Sequence, residues 1–252
     1  MPPRARDLVW EGCLNVRDLG GFPLEGGGET RFGSLVRADS VGHLTERGWK
    51  ALVDYGIRTV VDLRGDAERE DDPPGEARVD VLHVPFMEAS EAEWNEIGEE
   101  LEKAAAQPTV ADSTRDAYLI FLERFRTRVG AAIATVARAP EGGVVVHCAG
   151  GKDRTGLLSA LLLRLAGVGV DDIAADYALS EERLRPRHDQ WIEAAESEAE
   201  RERLRRITQT PPEAITAVFA ELERRYGGVE EFLLGAGVSE EELELAAGRL
   251  RG

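Results

Sequence analysis

The sequence predicts an α/β fold in which a central, mostly parallel sheet is flanked by helices and followed by an appended helical region. Two observations lead to this prediction. Short β-branched segments alternate with helix-like segments in the earlier part of the chain, and this alternation is typical of a parallel sheet. Residues 170–252 contain no strand pattern. We therefore expect one domain over residues 1–252, whose part from 170 to 252 is helical.

Four apolar, β-branched segments are predicted to be strands. GGVVVHC, residues 142–148, is apolar almost throughout, which favours a central strand buried on both faces. The other three are Leu35–Asp39, Ile57–Leu63 and Val79–Phe86.

Helices are predicted between and after these strands. The first lies between Thr45 as N-cap and Gly56 as C-cap. A long helical stretch runs from about Asp112 to Ala139, and Arg154–Leu165 is apolar on nearly every face, as in a buried helix. Four further helices are expected within residues 170–184, 211–228, 229–237 and 239–252.

The acidic segment 88–108, EASEAEWNEIGEELEKAAAQP, is also predicted to be helical. Two interpretations remain open for this segment. It forms a solvated surface helix, or it is a mobile lid over the functional site.

Composition limits the class of protein. The net charge of −17 disfavours non-specific binding to nucleic acid and to anionic membranes. No stretch of 18 apolar residues occurs, so neither a transmembrane helix nor stable membrane insertion is expected. The N-terminus lacks the apolar core of a secretory signal. With two cysteines, we expect a reduced, cytoplasmic protein; composition leaves its oligomeric state open.

The sequence HCAGGKDRTG, residues 147–156, joins the predicted central strand to the buried helix. Cys148 stands at the carboxyl end of the strand, where open α/β sheets bind ligands. Gly150 and Gly151 allow a curled backbone that points N–H groups at an anion. The helix N-terminus adds positive potential, and Arg154 can bind two oxygens of a tetrahedral anion.

The same positive field acts on Cys148. A thiol near cations and a helix N-terminus favours the thiolate, and a thiolate above a bound phosphate can attack phosphorus. Thr155 could hydrogen-bond this thiolate and ease its departure.

Other loop types fit the sequence poorly. A phosphate-binding Walker loop needs Ser or Thr after its Gly-Lys pair, where this chain has Asp153. A zinc site needs more ligands than His147 and Cys148 supply, and no metal or cofactor is expected. A purely structural turn leaves the combination of Cys, Lys and Arg unexplained.

The pattern H-C-x5-R-[ST] in HCAGGKDRTG resembles that of cysteine-based phosphatases. NVRDLGGF (15–22), LVRADSVGHLTERGWKAL (35–52), GIRTVVDLRGDAERE (56–70) and DYALS (176–180) extend the similarity. Together they resemble the bacterial tyrosine phosphatase family, which includes mycobacterial PtpB-like enzymes and listerial lipid phosphatases. The resemblance implies a cysteine-phosphatase-like fold and metal-independent hydrolysis of phosphotyrosine, often also of phosphoserine, phosphothreonine and phosphoinositides.

The resemblance assigns roles by position. Cys148 resembles the nucleophile and Arg154 the phosphate-binding arginine, and the backbone of Ala149, Gly150, Gly151, Lys152 and Asp153 resembles the rest of the phosphate loop.

The general acid is harder to assign, because the chain has no Trp-Pro-Asp sequence. Asp153 resembles the loop aspartate of this family, which would protonate the leaving oxygen and then activate water. Alternatively, Asp153 only pairs with a neighbouring cation and shapes the loop. Asp62, Asp112 and Asp116 are the reserve candidates.

Lys152 bears on substrate choice. Lipid phosphatases of the tumour-suppressor type carry a lysine at the equivalent position, which favours phosphoinositides. The alternative is that Lys152 adds positive potential for any phosphate. Ala149 departs from that type, which has a second lysine there.

Residues outside the loop receive lesser roles. Arg64 either reaches the phosphate or holds the loop, and His147 is expected to order the loop through hydrogen bonds. Cys13 is expected to be a small buried residue, with a resolving-thiol role as the alternative. Arg17 and Asp18 are expected in a buried ion pair or turn, with substrate contact as the alternative. His43, His83 and His188 carry no pattern.

Four hypotheses of function follow. The first is a phosphomonoester hydrolase that acts on phosphotyrosine through a cysteinyl-phosphate, and the second is a phosphoinositide phosphatase. The third is a catalytically idle module that binds phosphorylated ligands, which the intact Cys148, Asp153 and Arg154 disfavour. The fourth and least favoured hypothesis is that the same loop carries out sulfur transfer or arsenate reduction.

Overall fold

The computed structural model describes residues 5–73, 75 and 79–251. Its central sheet has the strand order β1-β2-β5-β3-β4. Strands β2, β5, β3 and β4 are parallel, and β1 joins the edge antiparallel, which confirms the predicted mostly parallel sheet. The strands are β1 (Arg17–Asp18), β2 (Leu35–Ala38), β3 (Ile57–Asp62), β4 (Asp80–His83) and β5 (Gly143–His147). The short strand β1 was not predicted.

Helices flank this sheet and form the described C-terminal part of the chain, as predicted. Among the described residues, no helix has both the length and the apolar character that crossing a bilayer requires. The helices are α1 (Glu46–Tyr55), α2 (Asp66–Asp71), α3 (Glu91–Ala105), α4 (Val110–Arg124), α5 (Arg126–Arg138), α6 (Arg154–Ala166), α7 (Val170–Ala194), α8 (Glu198–Ile207), α9 (Pro212–Tyr226), α10 (Val229–Leu234) and α11 (Glu240–Leu250).

Both predicted caps of α1 are confirmed. The hydroxyl of Thr45 accepts a hydrogen bond from the N–H of Gly48 at 3.2 Å. Gly56 adopts the left-handed conformation with φ of 105°, which glycine adopts at little cost at a helix end. The chain thus turns directly into β3.

Apolar side chains pack on both faces of the sheet. Every residue of β5 is buried, as expected for a central strand covered on two sides. Val145 belongs to a cluster that contains Leu52 of α1 and Trp10 from the segment before β1. Val144 and Val146 face a larger cluster that contains residues of α4 to α7 and of α9 to α11. The C-terminal helices therefore share the core that supports the sheet.

Two predicted helix boundaries are wrong, and two short helices were not predicted. The stretch Asp112–Ala139 is two helices, because the backbone leaves the helical region at Phe125, with φ of −112° and ψ of 26°, where the ring is buried. Helix α7 continues past Leu184 to Ala194 and contains the exposed Pro186. Helices α2 and α8 were not predicted, because neither has a buried residue and therefore neither has an apolar stripe.

The acidic segment 88–108 contains α3, as predicted. Ile97 and Ala104 of α3 are buried, and Arg124 of α4 donates a hydrogen bond from Nε to Glu100 at 3.2 Å. The ring of Trp94 lies 5.5 Å from that of Phe125, measured between centroids. Helix α3 is therefore attached to α4 by apolar and ionic contacts.

Candidate active site

The cysteine-containing loop lies at the carboxyl edge of the sheet. Cys148 directly follows β5, and Arg154 begins α6. The last residues of β2 and β3, Ala38 and Asp62, both pair with His147, so three strand ends surround the loop. The side chain of Cys148 is 2% exposed. This is the edge at which open α/β sheets bind their ligands.

The loop backbone presses against the end of β2 at Gly151. This residue has φ of 64°, and a Cβ atom there would lie 2.3 Å from the carbonyl oxygen of Ala38. Only glycine fits this position without strain. At Gly150 a Cβ atom would meet nothing closer than 3.8 Å, so the steric demand rests on the second glycine.

Protein donors hold the carbonyl oxygens of the loop. The N–H of Ser40 donates to Ala149 at 3.0 Å, and Nδ2 of Asn15 donates to Gly150 and Gly151 at 3.1 Å each. These hydrogen bonds hold the carbonyl oxygens toward the protein, and a loop fixed in this way can point its N–H groups at an anion.

A buried ionic cluster supports the far side of the loop. Arg37 donates to the carbonyl oxygen of Gly151 and to Oδ2 of Asp176, at 2.8 Å each. Arg17 donates from Nε to Oδ1 of Asp176 at 3.0 Å. Burial alone would raise the pKa of Asp176, but the guanidinium groups of Arg17 and Arg37 outweigh it and hold that pKa below its ordinary value.

Arg17 and Asp18 are therefore buried as expected, but they do not pair with each other. Asp18 shapes a turn by accepting hydrogen bonds from the N–H groups of Gly20 at 2.6 Å and Gly33 at 2.7 Å. Arg17 holds Asp176 instead, and its guanidinium is completely buried, so it cannot contact substrate in this conformation.

Arg154 is held by Glu68 of α2, a residue that sequence reasoning missed. Nη1 and Nη2 of Arg154 donate to the two carboxylate oxygens at 2.5 and 2.6 Å. Burial opposes ionisation of Glu68, but its hydrogen bonds from Arg154 dominate and lower its pKa. This contact occupies the end of the guanidinium and leaves its Nε edge for an anion.

Asp153 lies at the mouth of the loop with its side chain 45% exposed. Its Oδ1 accepts a hydrogen bond from the hydroxyl of Tyr118 at 2.7 Å and lies 3.5 Å from Nζ of Lys152. Lys152 also donates to the carbonyl oxygen of Ile207 at the end of α8. Both interpretations of Asp153, as the acid and as a partner of a cation, are compatible with these contacts.

Asp62 and Arg64 support the loop from a distance. Nε of Arg64 donates to Oδ1 of Asp62 at 2.9 Å, and Nη1 donates to the hydroxyl of Ser40 at 2.8 Å. Ser40 in turn binds Ala149. Of the two roles considered for Arg64, holding the loop fits these contacts and reaching the phosphate does not.

His147 and Thr155 flank the nucleophile position. Nδ1 of His147 lies 3.2 Å from the carbonyl oxygen of Cys148, and burial lowers the pKa of this imidazole to about 4, so it is neutral at pH 7. Among the described residues, the buried hydroxyl of Thr155 has no hydrogen-bond partner. The expected hydrogen bond to Cys148 is not formed in this structure.

The reserve acids lie outside the cleft that contains Cys148. Asp62 is fully buried against Arg64. Asp112 and Asp116 both pair with Arg115 at 2.7 and 2.8 Å. Asp153 is the candidate acid that lines the cleft.

The remaining singled-out residues have structural contacts. Sγ of Cys13 lies 3.3 Å from the carbonyl oxygen of Ser40, and burial raises the pKa of this thiol, which opposes a resolving role. His83 lies 2.7 Å from the carbonyl oxygen of Arg64. His43 lies 3.7 Å from Asp72. His188 lines the cleft, and burial lowers its pKa to about 4.

The cleft above the loop has a volume of about 950 Å³. Its walls come from α3, α4, α7 and α8 and are mostly apolar, with Met87, Trp94, Leu101, Val110, Phe121, Leu184, Trp191 and Ile207. Four cations also line it, Lys152, Arg154, Arg203 and Arg206, beside two carboxylates, those of Glu68 and Asp153. The excess of cations gives the cleft a positive charge on an acidic protein. In the described part of the chain, no cluster of three or more side chains suits a metal ion.

A parallel sheet that ends in a loop from Cys148 to Arg154 resembles the arrangement expected of cysteine-based phosphatases. Residues 8–251 match the tyrosine phosphatase family, and the chain belongs to it. The chain is 29% identical over 226 residues to a tyrosine-protein phosphatase of Nostoc commune, covering 86% of this chain and 74% of the relative. It is 26% identical over 283 aligned positions to the triple specificity protein phosphatase PtpB of Mycobacterium tuberculosis, covering 96% of this chain and 98% of the relative.

These similarities confirm the predicted family. They also confirm that the protein is a phosphatase of the tyrosine type, whose substrate carries a phosphoryl group.

Proposed function

We propose that this phosphatase acts on phosphotyrosine, and also on phosphoserine and phosphothreonine, through a cysteinyl-phosphate intermediate. The observation that carries the proposal is the joint position of Cys148 and Arg154 in one loop at the base of an open cleft. The triple specificity named for the mycobacterial relative supports the breadth of substrates.

The first step transfers the phosphoryl group to the enzyme. The Cys148 thiolate attacks phosphorus, a sulfur–phosphorus bond forms, and the bond to the ester oxygen breaks. Asp153 gives its proton to that leaving oxygen. The loop N–H groups and Arg154 stabilise the negative charge on the three other oxygens.

The second step returns the enzyme to its starting state. The Asp153 carboxylate takes a proton from water as the water oxygen attacks phosphorus. The sulfur–phosphorus bond breaks, the Cys148 thiolate leaves, and inorganic phosphate is released. Glu68 keeps Arg154 oriented during both steps.

Cys148→Ser tests the covalent route, with Cys13→Ser as the matched control. We expect the Cys148 variant to lose turnover while it still binds phosphate or vanadate, and the Cys13 variant to remain active, because serine keeps a donor for Ser40. Turnover of the Cys148 variant at the wild-type rate would exclude a cysteinyl-phosphate. Loss of vanadate binding together with turnover would mean that the loop itself is disrupted.

A phosphoinositide phosphatase is the second candidate. The cations Lys152, Arg203 and Arg206 line the same cleft as apolar side chains, so a ligand with a further phosphate and an apolar tail would meet both. Position 149 is alanine in this chain, whereas lipid phosphatases of the tumour-suppressor type have a second lysine there, and this difference weakens the candidate. Phosphate release should be compared across phosphopeptides and each phosphoinositide, for the wild type and Lys152→Met. A selective loss on phosphoinositides would support this candidate, and an equal loss on all substrates would oppose it.

A further inference from the structure

Tyr118 of α4 makes a direct contact with Asp153 that no phosphate-binding role explains. Its hydroxyl donates to Oδ1 of Asp153 at 2.7 Å, and it lies 2.7 Å from the hydroxyl of Tyr177 in α7. Both rings are buried, at 2% and 1% exposure, whereas the Asp153 carboxyl reaches the cleft. A chain of two hydroxyls therefore connects the protein interior to the carboxyl group.

We propose that Tyr118 is a positioning residue that fixes the carboxyl group of Asp153 for proton transfer to the leaving oxygen. This inference rests on the proposed function, in which Asp153 is the general acid and base.

The direction of the hydrogen bonds follows from the chemistry of the groups. An ionised carboxylate only accepts hydrogen bonds, so Tyr118 is the donor to Asp153 and Tyr177 is the donor to Tyr118. Burial raises the pKa of Tyr118 well above its ordinary value of 10, and burial also raises the pKa of Tyr177. Both hydroxyls therefore keep their protons at neutral pH.

This contact also decides which oxygen of Asp153 carries the transferable proton. With Oδ1 occupied as the acceptor from Tyr118, the proton of the acid form resides on Oδ2. In the first step this proton passes to the ester oxygen and leaves a carboxylate whose Oδ1 is still bound to Tyr118. In the second step Oδ2 takes a proton from water. Tyr118 can donate to Oδ1 in both states and so holds the group still; because a donor stabilises the carboxylate more than the acid, the contact also favours proton release in the first step.

Packing fixes the two rings. Tyr118 and Tyr177 meet edge to face, with centroids 6.0 Å apart and planes at 82°. Tyr177 lies against Gly156 in the first turn of α6, where a Cβ atom would come within 3.2 Å of its ring. Gly156 of the sequence KDRTG thus gives Tyr177 the space to reach Tyr118. A carboxyl group held by fixed partners keeps the geometry that proton transfer requires.

The test compares leaving groups. An aryl phosphate such as p-nitrophenyl phosphate needs little help from an acid, whereas an alkyl phosphate such as a phosphoserine peptide needs the proton. General acids supply roughly 10²–10⁴-fold, and we expect Tyr118→Phe to lose a part of this, about tenfold in kcat/KM on the alkyl phosphate. The measured quantity is kcat/KM because it reports the first phosphoryl transfer, in which Asp153 acts as the acid, and not the hydrolysis step that all substrates share. The kcat/KM on the aryl phosphate should stay near the wild-type value, whereas a misshapen loop would lower it on both substrates.

Tyr226→Phe is the matched control, because the hydroxyl of Tyr226 also donates to a carboxylate, that of Glu123, outside the cleft. It should behave as the wild type does on both substrates. Tyr118→Phe leaves the hydroxyl of Tyr177 without this partner, so Tyr118→Phe combined with Tyr177→Phe provides a second variant if the first folds poorly. It should show the same selective loss.

A double-mutant comparison separates this inference from the proposed function. In the background of Asp153→Asn, Tyr118→Phe should cause no further loss, because it acts through Asp153. A further tenfold loss there would mean that Tyr118 acts on the substrate itself and would overturn the inference. The inference would also be overturned if Tyr118→Phe lost activity equally on both substrates while Asp153→Asn lost it mainly on the alkyl phosphate. That result would leave the acid assignment intact. If Asp153→Asn itself loses equally on both substrates, the acid assignment fails first.

Discussion

Glu68 holds the guanidinium group of Arg154 through two parallel hydrogen bonds of 2.5 and 2.6 Å. The two residues are 86 positions apart in sequence and come from α2 and the start of α6. Glu68 follows β3, and Arg154 follows the loop after β5, so the parallel pairing of the two strands brings them together. The carboxylate therefore sets the orientation in which Arg154 meets a bound phosphate.

We predict that Glu68→Gln weakens phosphate binding. Glutamine can accept one hydrogen bond from Arg154, but it lacks the charge and the second acceptor of the bidentate pair. A charge-assisted hydrogen bond contributes about 1.5–3 kcal/mol, so we expect kcat/KM to fall by roughly tenfold to a hundredfold. Most of the change should be in KM, measured on p-nitrophenyl phosphate. Glu70→Gln on the exposed face of α2 is the control, and an equal loss in both variants would contradict a specific role.

The pH dependence of the same contact has a defined sign. The pKa of Glu68 is lowered from 4.5, so the pair with Arg154 is complete above that value and is lost as the pH falls through the lower, folded-state pKa. At neutral pH the contact therefore contributes fully. When KM is measured from pH 7 downward, the values for the wild type and Glu68→Gln should become equal only below the folded-state pKa of Glu68.

We predict that Gly151→Ala destabilises the fold, whereas Gly150→Ala does not. Alanine at position 151 would have a positive φ and a Cβ atom 2.3 Å from the Ala38 carbonyl oxygen. Such strain costs on the order of 1–3 kcal/mol. At position 150 the nearest atom would be 3.8 Å away. The free energy of unfolding in urea is the measurement, and equal values for the two variants would contradict the close approach of the loop to β2.

Local patterns in the sequence were sufficient to place the loop. Cys148 and Arg154 are six positions apart, between a strand and a helix. Both elements can be recognised from runs of apolar residues close to the loop in the sequence. The caps of α1 were predicted for the same reason. By contrast, Glu68 and Tyr118 reach the loop only through tertiary packing. Glu68 lies in a segment that the family resemblance included, but no local pattern marks either residue as a partner of the loop.

Other differences have particular physical causes. The break at Phe125 could not be predicted, since RFRTR is compatible with a continuous helix and only the burial of the ring fixes the turn. The partner of Arg17 is in DYALS, a segment that the family resemblance included, yet the pairing with Asp176 joins residues 159 positions apart. A resemblance can mark such residues but does not show which of them meet.

We predict that Trp94→Ala raises KM for large aryl substrates. Trp94 lines the cleft and is 36% exposed, so part of its ring is available to a ligand. Burying an aromatic surface contributes about 25 cal/mol per Å², and loss of about 50 Å² of contact would raise KM roughly tenfold. KM should be compared for a phosphotyrosine peptide and for p-nitrophenyl phosphate. If kcat/KM for the peptide increases instead, the segment 88–108 obstructs the cleft as a lid does.

We predict that Asp176→Asn destabilises the protein by about 3–5 kcal/mol, because it leaves the buried cations Arg17 and Arg37 without a counter-charge. The measurement is the free energy of unfolding, with Asp171→Asn on the exposed start of α7 as the control. Because the folded-state pKa of Asp176 lies below 3.8, its contribution is present above that pH and is lost as the pH falls further, where the unfolded chain binds a proton first. Below about pH 4, the free energy of unfolding of the wild type should therefore fall more steeply with pH than that of Asp176→Asn, because its unfolding takes up one additional proton. Equal acid slopes for the two proteins would mean that folding does not lower the pKa of Asp176.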